Sequence, residues 1–169
     1  MARRSLTRRR VAPSAGRPMM PREYGLAGRR EAVLPWAWAR RRLARAHNYW
    51  ISTTRPDGRP HAMPIWGLWL DEAFVFSTSR RSRKGRNLSR RPQAVVHLES
   101  GDQTVILEGR VREVRDAVVL ARYAGAYHAK YRFRPDPGDR KNVTYVLDAR
   151  VGFAWRERDF PKSATRWRF

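Results

Sequence analysis

The stretch TTRPDGRPHAMPIWGLWLDEAFVFSTSRRSRKGRNLSRRPQAVVHLE, residues 53–99, alternates extended apolar segments with turns and contains one cationic interruption. RPDG (55–58) and DE (71–72) have the composition of reversing turns, so the extended segments around them, 49–54, 59–70 and 73–78, predict two successive β-hairpins. Pro60 and Pro64 cannot donate a ladder hydrogen bond and therefore predict an edge strand, a bulge or a ligand-facing stretch. This part of the chain predicts antiparallel β-structure.

The rest of the chain continues the β-pattern and adds helices. Further strands are predicted at 94–100, 104–114 and 142–155. Helices are predicted over 35–48, over about 83–90 and over 116–131, where Asp116 is a suitable N-cap. One face of the first helix would carry Trp36, Ala39, Leu43 and Ala46. About six strands with helices between and after them predict a mainly β fold, a small antiparallel barrel with peripheral helices.

Composition limits the domain organisation. The chain has 169 residues, no cysteine and no apolar run as long as a membrane span requires. We expect one domain over residues 23–169, preceded by a basic, disordered arm over residues 1–22. The arm is either a polyanion-binding tail or an extension upstream of a start at Met19 or Met20. These features predict a cytoplasmic protein without a membrane partner.

The net charge of +22 suggests a polyanion such as nucleic acid as partner. Two features weaken this interpretation. Only four of the 37 basic residues are lysine, a bias that a GC-rich genome would also produce, and half of the excess charge falls within residues 1–46. A basic nucleic-acid-binding barrel remains one alternative, supported by charge and aromatic content alone.

Familiar catalytic motifs do not occur in the sequence. A dinucleotide-binding fingerprint, a P-loop and a nucleophile elbow are all absent. The four histidines, His47, His61, His97 and His128, are not spaced as metal ligands, so we expect no metal site. Because the carboxylates are scattered as well, any catalysis is expected to belong to a bound cofactor.

Hydroxyl groups and cations meet between one strand end and the start of the second predicted helix. Ser77 and Thr78 end the strand, and Arg83, Lys84 and Asn87 follow in the first turns of the helix. Backbone N–H groups at a helix start attract an anion, and hydroxyls with paired cations complete a phosphate site. The alternative is a solvated basic helix in an Arg-rich chain, and composition does not choose between the two.

The order of short motifs identifies a family. DGRP precedes a Pro-containing strand, F-S-T ends the next strand, and S-R-K-x-R-N-L and an R-P step lead into an apolar strand. This order resembles the pyridoxamine 5'-phosphate oxidase-like split-barrel family, specifically its branch of deazaflavin (coenzyme F-420)-dependent proteins. The resemblance includes YGLAGRREAVLPWAWARRRLARAHNYW and the ending TRWRF, and so covers roughly residues 24–169.

The resemblance implies a homodimer of six-stranded antiparallel split β-barrels, with a flat tricyclic cofactor in a cleft at the dimer interface. It carries cofactor binding over to ten positions: Pro64, Ile65, Trp66, Ser77, Thr78, Arg83, Lys84, Asn87, Trp167 and Arg168. The first three would run beside the ring as strand backbone. Ser77 and Thr78 would meet the phosphate or nearby linker, and Arg83, Lys84 and Asn87 would bind the phosphate or tail. Trp167 and Arg168 would close over the cofactor, either from the same subunit or from the partner subunit.

The sequence departs from pyridoxamine-phosphate oxidase proper because it lacks that enzyme's C-terminal substrate-binding signature. A basic rim of Arg80, Arg81, Arg83 and Arg86 suits the carboxylate-rich tail of coenzyme F-420 better than it suits FMN. We therefore expect an oxidoreductase that transfers a hydride to or from a small unsaturated organic substrate with coenzyme F-420, and FMN is the alternative cofactor. The alternative functions are an FMN-binding oxidoreductase or a non-catalytic flavin carrier of the same fold. No catalytic residue is identified.

Overall fold

The computed structural model describes residue 6, residues 12–26 and residues 33–169. In this part of the chain, nine strands form one connected sheet with four α-helices around it. The strands are β1 Ser14–Gly16, β2 Asn48–Thr54, β3 Pro60–Trp66, β4 Leu68–Leu70, β5 Ala73–Ser79, β6 Gln93–His97, β7 Gln103–Glu113, β8 Asn142–Arg156 and β9 Thr165–Arg168. The helices are α1 Trp36–Arg45, α2 Arg83–Arg90, α3 Ala117–Tyr131 and α4 Phe160–Ser163.

The two predicted hairpin turns are confirmed. Gly58 closes the β2–β3 turn at a φ of 86°, a conformation that glycine adopts without steric cost. In the β4–β5 turn, Asp71 and Glu72 have φ values of 49° and 62°. Two successive residues at positive φ are what a two-residue hairpin loop requires, because this backbone twist matches the twist of the flanking strands.

The strand order explains the two prolines of β3. All described strand pairs are antiparallel, and β3 pairs with β2 alone, at one edge of the sheet. Pro60 and Pro64 stand opposite Thr54 and Trp50 in this register. An edge strand tolerates the missing N–H groups, so the structure shows the edge strand among the three alternatives that the sequence left open.

The long strand β8 joins the two halves of the barrel. Along one edge it pairs with β7, and along the other it pairs first with β5 and then with β9. A bulge between Glu108 and Gly109 lets the β7–β8 pair bend. A single sheet can therefore curl around one core.

The apolar residues form two clusters on opposite faces of this sheet. The barrel interior contains fully buried rings and aliphatic side chains: Tyr49, Phe74, Phe76, Leu107 and Trp167. Helix α3 packs on the outer face of β5 and β8 through Tyr123, Tyr127 and Tyr131. Each buried aromatic side chain removes about 150–250 Å² from water, so these rings dominate the packing energy.

The observed elements differ from the predicted ones in three details. The six longer strands are those expected, but the predicted strand 59–70 is broken at Gly67, and short strands β1, β4 and β9 add to the sheet. In α1 the buried residues are Trp38, Ala39 and Leu43, whereas Trp36 is only partly buried. Because α1 packs against β4 and β7, its buried face is rotated slightly from the face that residue spacing alone predicts.

The disorder predicted for residues 1–22 is wrong for part of that segment. Ser14–Gly16 form β1, which pairs with β9. The Arg17 guanidinium then donates to the carbonyl oxygens of Lys162 at 2.8 Å and Ala164 at 3.0 Å. An exposed strand edge offers unpaired backbone groups, and a polar segment can pair with it without an apolar pattern of its own. Residues 1–5 and 7–11 lie outside the described residues.

Candidate cofactor-binding site

The start of α2 is held tightly against the end of β5. The Thr78 and Ser82 hydroxyls are 3.0 Å apart, and the Ser82 hydroxyl also accepts a hydrogen bond from Gly85 N–H at 3.0 Å as the N-cap of the helix. A Cβ at Gly85 would lie 2.3 Å from the Ser79 carbonyl oxygen, so only glycine allows this approach. We call the group Thr78, Ser82, Arg83, Lys84 and Asn87 the α2 cradle.

Cations gather around the α2 cradle without acidic partners. Lys84 is half-buried, and burial lowers the pKa of its ammonium group. Burial first, and then the charges of Arg55, Lys84 and Arg83, lower the pKa of His61 on β3. Among the described residues, neither Lys84 nor Arg83 has an ion pair or side-chain hydrogen bond, and the Arg55 Nε is buried without a partner. Such a group is destabilised by mutual repulsion until an anion binds to it.

Asn87 adds an unused acceptor to the α2 cradle. Its side chain is buried, and its Nδ2 donates to the Thr53 hydroxyl at 2.9 Å, which ties α2 to β2. Its Oδ1 is buried and has no hydrogen-bond partner in the described part of the chain. An unsatisfied buried carbonyl oxygen is costly, so a ligand hydroxyl that donates to it would be stabilising.

The edge strand β3 continues from this cationic group toward exposed aromatic surface. Pro64 and Trp66 are exposed, whereas Ile65 points into the barrel core and can offer only its backbone to a ligand. The Trp66 ring is 43% exposed and stacks on Tyr131, with ring centroids 4.7 Å apart.

The structure separates two predicted neighbours. The Ser77 hydroxyl lies 2.7 Å from that of Thr144 on β8, on the side of the sheet that α3 covers. Thr78 points the other way, toward Ser82. Adjacent residues of a strand face opposite sides of a sheet, so the Ser77 and Thr78 side chains are not expected to contact the same phosphate. Thr78 lies in the α2 cradle, and the Ser77 side chain does not.

The two predicted C-terminal residues are also separated from the α2 cradle. Trp167 is completely buried in the barrel core, where its ring lies 5.1 Å from that of Trp36. Its indole therefore packs the core of its own subunit, and its position does not support the expected closure over a cofactor. Arg168 is exposed on β9, opposite Ser14 of β1.

Sequence analysis missed Arg55, His61 and Ser82. Ser82 could have been found, because a serine two residues before Lys84 at a helix start is a typical N-cap. Arg55 and His61 lie in the β2–β3 hairpin, and only the pairing of the strands brings them to α2.

In the residues that the structure describes, no helix is long and apolar enough to cross a membrane. The same residues contain no group of three His, Asp or Glu side chains that could hold a metal.

Comparisons with known proteins agree with this geometry. Residues 38–151 match the sequence model of the family described as pyridoxamine 5'-phosphate oxidase. A pyridoxine/pyridoxamine 5'-phosphate oxidase of Azorhizobium caulinodans is 39% identical over 77 residues, which cover 44% of this chain and 36% of that protein. The corresponding protein of Paraburkholderia xenovorans is 30% identical, over 65% of this chain and 51% of its own length. The chain thus matches about a third to a half of these relatives.

Solved structures show the same fold. A conserved hypothetical protein of Mycobacterium tuberculosis is 24% identical with a TM-score of 0.67, over 77% of this chain and 89% of the other. An FMN-binding protein of Nostoc punctiforme related to pyridoxamine 5'-phosphate oxidase has a TM-score of 0.54 at 20% identity, over 80% and 90% of the two chains. A structure described as an F-420 reductase has a TM-score of 0.53 at 20% identity, over 65% and 91%. The chain belongs to the pyridoxamine 5'-phosphate oxidase family and has its split β-barrel fold, as the sequence predicted.

Proposed function

We propose that this protein is an oxidoreductase that binds the phosphate of a flavin-type cofactor in the α2 cradle. The observation that supports the proposal most directly is the unpaired cationic group of Lys84, Arg83 and Arg55 beside His61. A phosphate would neutralise these charges, and the backbone N–H groups at the start of α2 provide further donors. The donor set therefore fits the phosphate of FMN or of coenzyme F-420.

The protein residues would bind and orient this cofactor. The α2 cradle would hold the phosphate, and the exposed edge strand β3 would offer its backbone at Pro64 and Ile65, and the Trp66 side chain, to the ring. When bound, the cofactor supplies hydride transfer to or from a small unsaturated organic substrate. The chain contributes position and exclusion of water from the reacting ring.

We propose coenzyme F-420 in preference to FMN. The exposed side chains of Arg81, Arg83 and Arg86 near the start of α2 provide cations for a carboxylate-rich tail. Arg80, which the sequence placed in the same rim, is instead paired with Glu113 and is not included. The resemblance to deazaflavin-dependent proteins supports the same choice.

A second copy of the chain would complete the cleft. Pro64, Trp50, His97, Ile106 and Phe153 are aligned across five strands on the outer face of the sheet. We call them the outer row. The row is partly exposed and mostly apolar, and the Trp50 and His97 rings are parallel within 3°. Because an apolar surface next to Pro64 is stabilised when covered, we propose a homodimer formed through this face.

Nucleic acid is not proposed as the partner. Several exposed or half-exposed arginines of the described chain are paired with carboxylates, including Arg40 with Glu72 and Arg112 with Asp148. They are therefore less available to a polyanion than the net charge suggests.

The test is a titration of the purified protein with FMN and with coenzyme F-420, followed by absorbance and fluorescence. We expect binding of both, with coenzyme F-420 tighter. Lys84→Ala should weaken the affinity by about tenfold, since a charge-assisted contact contributes about 1.5 kcal/mol. Lys162→Ala, which removes an exposed lysine on α4, serves as the control. Absence of binding to either cofactor would refute the proposal, and binding without turnover of any substrate would indicate a flavin carrier.

A further inference from the structure

A second cavity lies on the opposite side of β5 from the helix α2. It has a volume of about 940 Å³ and lies between α3, the ends of β5, β7 and β8, and the loop 132–141. We call it the loop cavity. Thr78 is the residue that it shares with the α2 cradle. Its volume is within the range of sites for small organic ligands, about 300–1,000 Å³. The proposed cofactor site does not account for it.

The floor of the loop cavity contains an unsatisfied hydroxyl group. Ser77 and Thr144 line it and are hydrogen-bonded to each other at 2.7 Å. The Tyr123 hydroxyl is buried beside Ser77, which is close enough to oppose the rise that burial causes in its pKa, yet it has no hydrogen bond of normal geometry among the described residues. A ligand atom or a bridging water with better geometry would therefore satisfy this buried phenol.

The walls of the loop cavity are apolar. Leu120, Tyr123, Ala124 and Tyr127 follow one another at the spacing of one helical face of α3. Phe133, at the start of the loop, also lines the cavity; its ring lies edge-on to that of Tyr127, with ring centroids 6.3 Å apart, and is 59% exposed. A flat ring placed against Phe133 and the apolar face of α3 would remove this surface from water.

Charges at the mouth of the loop cavity favour an anion. The acidic groups there are already bonded: Glu113 pairs with Arg80, Asp136 accepts from Gly138 N–H, and Asp139 accepts from Lys141 N–H and Asn142 Nδ2. Arg134 and Arg140 also line the cavity, and neither guanidinium has an ion pair or a hydrogen bond within the described residues. The acids therefore maintain the shape of the loop, and the two arginines remain available to bind a carboxylate.

We propose that the loop cavity binds an organic acid with an aromatic body, at a site separate from the cofactor site. Arg134 and Arg140 bind the carboxylate, and the ring packs against Phe133 and the apolar face of α3. The Tyr123 hydroxyl forms a hydrogen bond with a polar substituent or a bridging water at the inner end.

The test uses 2-naphthoate as the probe, with calorimetric titration and amide NMR spectra of the full-length protein. We expect binding of 2-naphthoate, with the amide shifts confined to α3 and residues 132–144. The affinity for the cationic analogue 2-naphthylmethylamine should be at least about tenfold lower, because this probe cannot pair with the arginines. The double variant Arg134→Glu/Arg140→Glu should lose about tenfold in affinity for 2-naphthoate.

Two controls make the result specific. Arg41→Glu/Arg45→Glu makes the same charge change at exposed positions of α1, away from the loop cavity, and should leave 2-naphthoate affinity unchanged. Leu120→Trp fills the cavity from a partly exposed position of α3 and should abolish binding while the protein stays folded. If Leu120→Trp unfolds the protein, the smaller change Tyr123→Phe replaces it, with an expected loss of about threefold in affinity.

Three outcomes would overturn the proposal: no binding of 2-naphthoate, equal affinity for the two naphthyl probes, or amide shifts located on β3 and α2 instead of α3. Displacement of FMN by 2-naphthoate would overturn the separation of the two sites. The cofactor titration is an independent measurement, so failure of the loop cavity to bind leaves the cofactor proposal intact, and the reverse also holds.

Discussion

Gly67 separates β3 from β4 directly after Trp66, and we predict that Gly67→Ala destabilises the protein. A Cβ at this position would lie 2.3 Å from the Phe74 ring and 3.1 Å from the Val75 carbonyl oxygen. Phe74 is completely buried, so its ring can move only if the barrel core moves with it. Among the described glycines, those with a positive φ are Gly25 and Gly58. Alanine can therefore adopt the backbone conformation of Gly67, and the cost of the added Cβ is steric.

The magnitude follows from these contacts. Overpacking a well-packed core costs about 1–3 kcal/mol, and alanine recovers about 0.4–1 kcal/mol through the unfolded chain. We expect a net loss of about 1.3 kcal/mol of unfolding free energy, or a fall of about 3–5 °C in Tm for a chain of this size. The loss should be accompanied by weaker cofactor binding, because Gly67 N–H donates to the Tyr131 hydroxyl at 3.0 Å, and Tyr131 stacks on Trp66.

Gly125→Ala is the matched control. Gly125 lies in the middle of α3, and an added Cβ meets no atom within 4 Å. Here alanine should stabilise the protein by about 0.4–1 kcal/mol through helix propensity and the unfolded state. Both variants are measured by thermal and urea unfolding. A Gly67→Ala protein as stable as wild type, or a Gly125→Ala protein that is the less stable of the two, would refute the packing argument.

Two further predictions concern α3 and the outer row. Burial lowers the pKa of Lys130 to about 8, so the unfolded chain keeps this proton to higher pH than the folded chain. The unfolding free energy of the wild type, measured relative to that of Lys130→Met, should therefore rise by about 1 kcal/mol between pH 7 and pH 10. This value is reduced for solvent screening. If urea unfolding gives the same pH dependence for both proteins, the prediction is wrong. If the proposed dimer forms through the outer row, Ile106→Glu should give a monomer in light scattering and weaken cofactor binding, whereas Arg41→Glu should do neither. A dimeric Ile106→Glu protein would exclude the outer row as the interface.

Local patterns were sufficient to predict most elements. The RPDG and DE turns and the Asp116 cap are each determined by residues close together in the chain, and the structure confirms all of them. The Asp116 carboxylate accepts from Val118 N–H and Val119 N–H, as its place before an apolar helix implies. Local sterics and local hydrogen bonds decide these features, and both can be inferred from neighbouring residues.

Residues close together in the chain were enough to predict the antiparallel barrel and the helix start at about residue 83, and the order of the motifs was enough to predict the family. Tertiary structure alone decided that His61 and Arg55 join Lys84, that Trp167 belongs to the core, and that a cavity opens beside Phe133. The physical reason is that these placements depend on which strand pairs with which and on which face the core covers. Such long-range contacts leave no periodic signal in the local sequence.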